Sequence, residues 1–543
     1  MPIAMFLLSA NRRMLIASLV VCLAVISSPD PIVGAEDLVE GSASSEMLRL
    51  RARRRTWSKA GHVTVLEKTL AWNPRQTALI ICDMWDTNTC LSAVELSKEM
   101  VPRMNQVTRR ARELGVLVIH APSGVMDFYA GTPQRTRAQQ APDADNFPPA
   151  MDHWCDIVEG RDSHYPIDVE GCNCTPRCQL EGRVTRQLEA LEMSDNDVIS
   201  DSGREIWNLF EQRGIDNVLM MGVHANMCVL GRPFGIRNLV TAGKNVVLVR
   251  DLTDSIYNPD CRPYVSHFTG TDLIVQHIER NWCPTISSME LTGTPPFRFA
   301  ADTRPHIVMV IAEDEYEADR TLPALARAHL GKDFKVTLVS GNPQDRDDLP
   351  SIAALDGADL ALVFVRRRLL PPGQLVYLRR YVGAGKPLLA IRTTSHGFSA
   401  RDGRVPEGKV AWPRFDRDIL GCEYSGGFGN VDPKGPGTFV RSVPPARQHP
   451  LLKGWPTEPL RVGSSLYKSR MHSTAAAILL TGRVEDRRPA QPVAWTNRSP
   501  MGGRVFYTSL GHATDFDVPA VRQLLVGAVY WLLDRDVPEL DDE

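Results

Sequence analysis

The residues with the clearest chemical potential are Cys228, in Val218-Leu-Met-Met-Gly-Val-His-Ala-Asn-Met-Cys-Val229, and Asp83, at the end of Ile80-Ile-Cys-Asp83. Both follow short apolar runs of the kind that form buried parallel strands. A thiol where a strand turns into a helix feels the positive end of the helix dipole and nearby unpaired amides, which favour the thiolate and lower its pKa. The same amides, in the segment Val223, His224, Ala225, Asn226 and Met227, are placed to hold an oxyanion, and Asp83 is placed to act as acid or base. The chemistry this suggests is acyl transfer through a cysteine nucleophile. His120, after a third apolar run, faces the same crevice at the carboxyl ends of the strands.

The flanking elements alternate in a way that builds such a crevice. Strands are predicted at Thr77–Asp83, Val116–His120, Asn217–Val223 and Asn245–Arg250, with helices over 96–114, 203–213 and 228–242. Residues 125–195 interrupt the rhythm with a polar, Pro- and Cys-containing insertion. A linker at 293–304 follows, and the pattern restarts with strands at His306–Ile311, Phe334–Val339, Leu360–Val365, Pro387–Ile391 and Arg504–Thr508. Helices are expected at 319–330, 372–383 and 517–533, and residues 400–460, rich in Gly, Pro and Arg, read as long loops. Apolar strands alternating with amphipathic helices specify an α/β fold of two tandem three-layer domains, over 71–292 and 305–536, each with a mostly parallel sheet.

The 543 residues carry 62 Lys+Arg against 64 Asp+Glu, and 43% of them are hydrophobic. This balance excludes a disordered or collagen-like chain and argues against nucleic acid as a partner. Arg12 and Arg13 precede the apolar run Met14–Ile26, and Val33-Gly34-Ala35 forms a small-residue cleavage site before Glu36. Residues 1–35 therefore read as an export signal, giving a periplasmic or secreted protein that is free of the membrane after cleavage. The charged segment 36–70, with Arg51-Ala-Arg-Arg-Arg55, reads as a solvated face. Cys155, Cys172, Cys174 and Cys178 crowd into one stretch of the insertion. In an oxidising compartment disulfides are expected, and zinc is the alternative, although the spacing lacks paired Cys-x-x-Cys knuckles. Cys82, Cys90, Cys261, Cys283 and Cys422 read as packing residues.

Residues 75–290 resemble the isochorismatase-like cysteine hydrolases. The resemblance rests on Thr77-Ala-Leu-Ile-Ile-Cys-Asp-Met-Trp-Asp86, Arg112-Glu-Leu-Gly-Val-Leu-Val-Ile-His120, Gly222-Val-His-Ala-Asn-Met-Cys-Val229 and Gly243-Lys-Asn-Val-Val-Leu-Val-Arg-Asp251. It implies Cys228 as nucleophile and Asp83 as its acid/base partner on an amide-like C–N bond, with a non-proline cis peptide just after Val223. The family's lysine is missing: Ser200 or Asp201 stands in its place, and there is no Lys between Lys98 and Lys244. His224, His120, Arg186 and Arg204 are the candidate substitutes for it. Related nicotinamidases bind a metal after the second strand, but His120-Ala-Pro-Ser-Gly-Val-Met-Asp-Phe-Tyr129 lacks the His pair, so neither metal nor cofactor is expected.

Residues 305–535 resemble the trehalose-utilisation (ThuA-like) domain of the glutamine-amidotransferase-like superfamily. The matching stretches are Glu313-Asp-Glu-Tyr316, Val365-Arg-Arg-Arg368, Gly385-Lys-Pro-Leu-Leu-Ala-Ile-Arg-Thr-Thr-Ser-His396 and Ser509-Leu-Gly-His-Ala-Thr-Asp-Phe516. No thiol stands on the strand–helix elbow. Ser395 and His396 suggest a Ser–His pair, against which adjacent residues on a turn usually point apart. Arg392, Ser395, His396, His512 and Asp515 are the pocket candidates, and the resemblance implies a carbohydrate ligand. For His512 and Asp515, capping of the final helix is an equal alternative. The expected activity is thus an exported hydrolase of small molecules, with two alternatives: a non-hydrolytic binder of a metabolite or saccharide, or a carbohydrate activity in the second domain. A homo-oligomer is compatible with either, with no interface specified.

Overall fold

The structure is a computed structural model that describes residues 47–162, 164–169, 172, 174, 176–178, 183–485 and 487–540. The export signal expected at 1–35 lies outside these residues. Among the described residues, no helix is long and apolar enough to cross a membrane.

The first sheet contains β1 (Leu48–Trp57), β2 (Val63–Trp72), β3 (Thr77–Cys82), β4 (Leu117–Ala121), β5 (Val198–Ile199), β6 (Asn217–Val223), β7 (Asn245–Asp254) and β8 (Thr285–Ile286). Its order is β2-β1-β8-β7-β6-β3-β4-β5, parallel from β8 to β5. Every residue of β3 and β6 is buried, because helices cover both faces. Side-chain alternation divides them: Ala78 and Ile80 pack with Trp207, Phe210 and Ile278 on one face, while Leu79 and Ile81 pack with Met100, Met104 and Val107 on the other.

The second sheet contains β9 (His306–Ala312), β10 (Lys335–Ser340), β11 (Leu360–Val365), β12 (Leu388–Ile391), β14 (Thr438–Ser442), β15 (Leu460–Val462), β17 (Ala477–Val484), β18 (Arg487–Arg498) and β19 (Arg504–Thr508); β13 (Cys422–Gly427) and β16 (Tyr467–Met471) form a separate two-stranded ribbon. The order β10-β9-β11-β12-β19 is parallel, and β18-β17-β14-β15 extends it antiparallel. The sheet is therefore mixed, and the stretch 400–460 contributes strands to it where loops were expected. These strands are short and alternate buried with exposed residues, as in Thr438–Ser442, so they lack the continuous apolar run that marks a central strand.

Two other expectations fail for local reasons. The segment 36–70 is not simply a solvated face, since its described part is the β1–β2 hairpin. Leu48, Leu50 and Ala52 enter the first core while Val63 and Val65 enter the second. Within the arginine run, Arg53 and Arg55 reach the fully buried Glu279 at 2.7 and 2.6 Å. The helix expected over 228–242 is split into Cys228–Gly231 and Ile236–Thr241. Pro233 causes the break: it lacks an N–H and drives Arg232 out of the helical region, to φ −57° and ψ 156°.

Candidate functional site

Asp83 and Cys228 meet at the carboxyl edge of β3 and β6. Asp83 is fully buried, with φ 47°, a left-handed conformation that costs a non-glycine residue and recurs at functional sites. Its Oδ1 accepts from the Ser123 N–H at 2.7 Å, and its Oδ2 from Arg232 Nε at 2.7 Å. The Cys228 thiol lies close enough to the same carboxyl group for each to shift the other's pKa. Burial pushes the Asp83 pKa up, with Arg232 and the Ser123 N–H pulling against it.

Arg232, which sequence reasoning passed over, is the cation that pairs with Asp83. Its charge is strengthened by Asp83 against the cost of burial, and the Trp85 and Trp154 rings flank the guanidinium, each 5.6 Å away. The available signal was spacing: Arg232 lies four residues after Cys228, one turn along, where side chains share a face. None of the four cations considered instead is brought to Asp83. Arg186 pairs with Glu189 at 2.6 Å, and Arg204 with Asp152 at 2.7 Å. His120 is fully buried with Nδ1 on Gln187 at 2.9 Å and Nε2 on Asp197 at 3.1 Å, so neither ring nitrogen is left for Cys228. His224 contacts Asn88 at 3.2 Å through Nε2, and burial lowers its pKa to about 4, leaving it uncharged near neutrality. Of the two residues expected in the lysine's place, Ser200 donates to Glu205, which is held in turn by Arg135, and Asp201 accepts from the Gly124 N–H at 2.8 Å.

The direction of the Cys228 shift is opposite to the sequence expectation. The four-residue helix it opens is too short to build much dipole, and the thiol is only 6% exposed. Burial first, then the Asp83 charge, push its pKa up to about 12, against the pull of Arg232. At neutral pH the sulfur is a thiol beside the buried Asp83 carboxyl group, which suits proton transfer during attack rather than a standing thiolate. The Val223–His224 peptide is cis. In the turn, the Ala225 N–H donates to Asp254 O at 2.7 Å, Met227 to His224 O at 3.0 Å and Val229 to His224 O at 3.2 Å. Among the described residues, the His224, Asn226 and Cys228 amides of this turn have no backbone acceptor. The Asn226 side chain is committed to both backbone groups of Ile256 and Tyr165 OH caps the Asn226 carbonyl at 2.6 Å.

The insertion covers this turn. The Cys155 N–H donates to Gly231 O at 2.7 Å, and Trp154 lies against Gly231 so closely that an added Cβ would sit 2.6 Å from its ring. The cysteines depart from the expected grouping. All ten in the described residues are unbridged, and Cys155 is elsewhere, with Cys90 joining Cys172, Cys174 and Cys178 instead. Cys90 precedes the helix Leu91–Leu114 by one residue, and linear spacing gave no hint of the contact.

In the second domain the residue on the elbow after β12 is Arg392, with φ 49°. It is fully buried: Nη1 donates to Ser509 O at 2.8 Å, while Nε and Nη2 have no hydrogen-bond partner among the described residues. Its guanidinium lies 4.1 Å from the Tyr316 ring centre and 5.0 Å from that of Tyr467. Ser395 and His396 do meet, Oγ to Nδ1 at 3.2 Å. His396 also stacks on Tyr424 at 4.2 Å, and burial together with Arg367 and Arg366 lowers its pKa to about 3, making it a poor base. Asp515 is fully buried and saturated by N–H donors from Gly463, Ser464, Gly511 and His512. With the His512 side chain it closes a capping box on the turn Ala513–Asp517 rather than on the final helix, Pro519–Leu532, which starts from Val518 with no side-chain cap.

Residues 307–532 match the family described as ThuA, trehalose utilisation. Solved structures similar to the chain include a ThuA-like protein from Parabacteroides merdae ATCC 43184 (18% identity, 44% of this chain and 93% of that one, TM-score 0.33). They also include a cysteine hydrolase from Pseudomonas syringae pv. phaseolicola 1448A (19%, 41% and 92%, TM-score 0.26) and an isochorismatase family protein from Burkholderia thailandensis (13%, 40% and 95%, TM-score 0.24). No curated protein matches the chain. The overlap scores are too low to transfer chemistry, which therefore rests on the residues above.

Proposed function

We propose that the first domain is a hydrolase of amide-like C–N bonds in small molecules, with Cys228 as nucleophile, Asp83 as proton carrier and Arg232 in place of the family's lysine. The observation that carries this is the contact of the Cys228 thiol with a buried carboxylate that Arg232 holds at 2.7 Å. Cys228 Sγ attacks the carbonyl carbon as its proton passes to Asp83, and the C=O pair moves onto oxygen, where the Asn226 and Cys228 amides are placed to receive it. Asp83 returns the proton to the leaving nitrogen, forming a thioester. It then takes a proton from water as the water oxygen attacks the thioester, and returns that proton to the departing Cys228 sulfur as the acid is released. The chain works as an exported protein. The test is a screen of amides and ureas with the purified protein, trapping the acyl-enzyme for mass spectrometry. Turnover with an adduct on Cys228, absent in Cys228→Ala and Asp83→Asn, is the expected result. Turnover that survives Cys228→Ala refutes it.

A second reading places carbohydrate recognition in the second domain. It is supported by the Tyr316, Tyr424 and Tyr467 rings around Arg392, whose two unpaired nitrogens suit sugar hydroxyl or carboxylate oxygens. Calorimetric titration of the full chain with trehalose, glucose and glucuronate tests it. Binding lost in Tyr424→Ala supports the reading, and no heat with any of the three refutes it.

A further inference from the structure

We propose that Cys90, Cys172, Cys174 and Cys178 form a tetrathiolate zinc site that fastens the insertion onto the turn carrying Cys228. One sulfur from each residue lies within 4.8 Å of all the others. The separations are 3.7 Å for Cys90–Cys174, 3.3 Å for Cys172–Cys178 and 3.6 Å for Cys174–Cys178. A disulfide needs about 2.05 Å. Four sulfurs at about 2.3 Å from one tetrahedral zinc lie roughly 3.8 Å apart, which is the spacing these thiols approach.

The surroundings suit a dianionic centre. Zinc binding expels one proton from each of the four thiols, leaving four thiolates and a divalent ion. Three backbone N–H groups already point at sulfur: Leu91 to Cys178 at 3.3 Å, Ser92 to Cys174 at 3.4 Å and Cys174 to Cys172 at 3.4 Å. Leu91 and Ser92 open the 24-residue helix Leu91–Leu114, so its positive end also faces the cluster. Tetrahedral sulfur ligation with no open position favours a structural ion over a catalytic one.

The site is remote in sequence from Cys228 and adjacent in space. Cys90, Ala93 and Ile256 form a small apolar cluster against which Cys172, Cys174, Cys178 and Met227 pack. Met227 immediately precedes Cys228. Asn88, two residues before Cys90, bonds the His224 ring at 3.2 Å. The ion thus ties the insertion, the start of the long helix and the Cys228 turn together, and this holds whether or not Cys228 turns over a substrate.

The full chain, purified without chelator, is expected to contain one zinc per molecule by plasma mass spectrometry. Cys90→Ser and Cys174→Ser are expected to lose it, and Cys155→Ser to keep it. Because the first two variants could fail to fold, the wild type also carries a test. Exchange with cobalt(II) is expected to give the intense visible absorption of tetrahedral cobalt–thiolate, and intact mass after denaturing alkylation is expected to show all four cysteines as thiols. Stoichiometric iron, negligible metal, or a peptide joining Cys172 to Cys178 or Cys90 to Cys174 would each overturn the proposal.

Discussion

Removing Arg232 is the sharpest physical test of the first site. Arg232→Met keeps much of the side chain's length and deletes the cation 2.7 Å from Asp83 Oδ2. At an effective dielectric constant of about 20, two unit charges at that distance attract by roughly 6 kcal/mol. Desolvation offsets part of this, and stripping one partner from a buried pair typically costs about 3–5 kcal/mol. The sign with pH follows from Asp83. Its folded pKa is raised above the unfolded value, so the folded state holds the proton more tightly, and stability falls as pH rises from about 3.9 through the folded pKa. Without Arg232 the folded pKa climbs further, and the fall becomes larger and extends to higher pH. The loss of stability is therefore expected to be about 3–5 kcal/mol at pH 8 and much smaller at about pH 2.5, well below the unfolded pKa, where Asp83 is protonated in both states. Urea unfolding followed by tryptophan fluorescence at the two pH values measures this. Adding Asp83→Asn is expected to recover most of the loss at pH 8. The same loss at about pH 2.5 and pH 8, or strict additivity of the two substitutions, would refute the assignment of Arg232 as the counter-charge.

Three further outcomes follow from the same geometry. With its pKa pushed up to about 12 by burial and Asp83, Cys228 is expected to resist iodoacetamide at pH 7 and to gain reactivity only well above the free-thiol midpoint; site-resolved mass spectrometry showing a midpoint below 8 would contradict that environment. Glu279, whose pKa the Arg53 and Arg55 charges hold at about 2 despite burial, contributes stability present above its unfolded pKa of about 4.3 and lost as pH falls toward 2. Glu279→Gln is expected to cost about 3 kcal/mol at pH 7 and little at pH 2.5, read from urea midpoints. Gly222→Ala would place a Cβ 2.1 Å from Cys82 O at φ 116°, forcing β6 off β3 beside Asp83; a loss of at least about 2 kcal/mol is expected, and an unchanged melting temperature would show that the strands do not approach so closely.

Much of the fold was legible because it is written locally. Val218-Leu-Met-Met-Gly-Val223 and Leu360-Ala-Leu-Val-Phe-Val365 are unbroken apolar runs, and a strand buried on both faces requires that pattern. The short alternating strands between 422 and 462 were illegible for the opposite reason: each gains its stability from a neighbour distant in sequence, as Thr438–Ser442 does from Ala477–Val484. The arginines of β1 looked like a solvated run because nothing near them in sequence reveals Glu279. At the first site, Cys228 and Asp83 could be named from their position after strands, whereas nothing in the chain around Arg232, beyond its spacing from Cys228, marks it as the partner of Asp83, 149 positions away. A charge acts through distance, and a guanidinium reaches Asp83 equally well from the far side of Cys228.

By itself the sequence determined two α/β layers in tandem, with Asp83 and Cys228 at strand ends, since apolar periodicity and strand–turn junctions are properties of contiguous residues. Only the tertiary structure decided which charges face one another, that the Cys228 thiol is buried against a carboxylate, and that Cys90 leaves the packing residues to join three cysteines more than 80 positions away. Those outcomes depend on through-space distance and on the water excluded around each group, and neither quantity is encoded at any single stretch of chain.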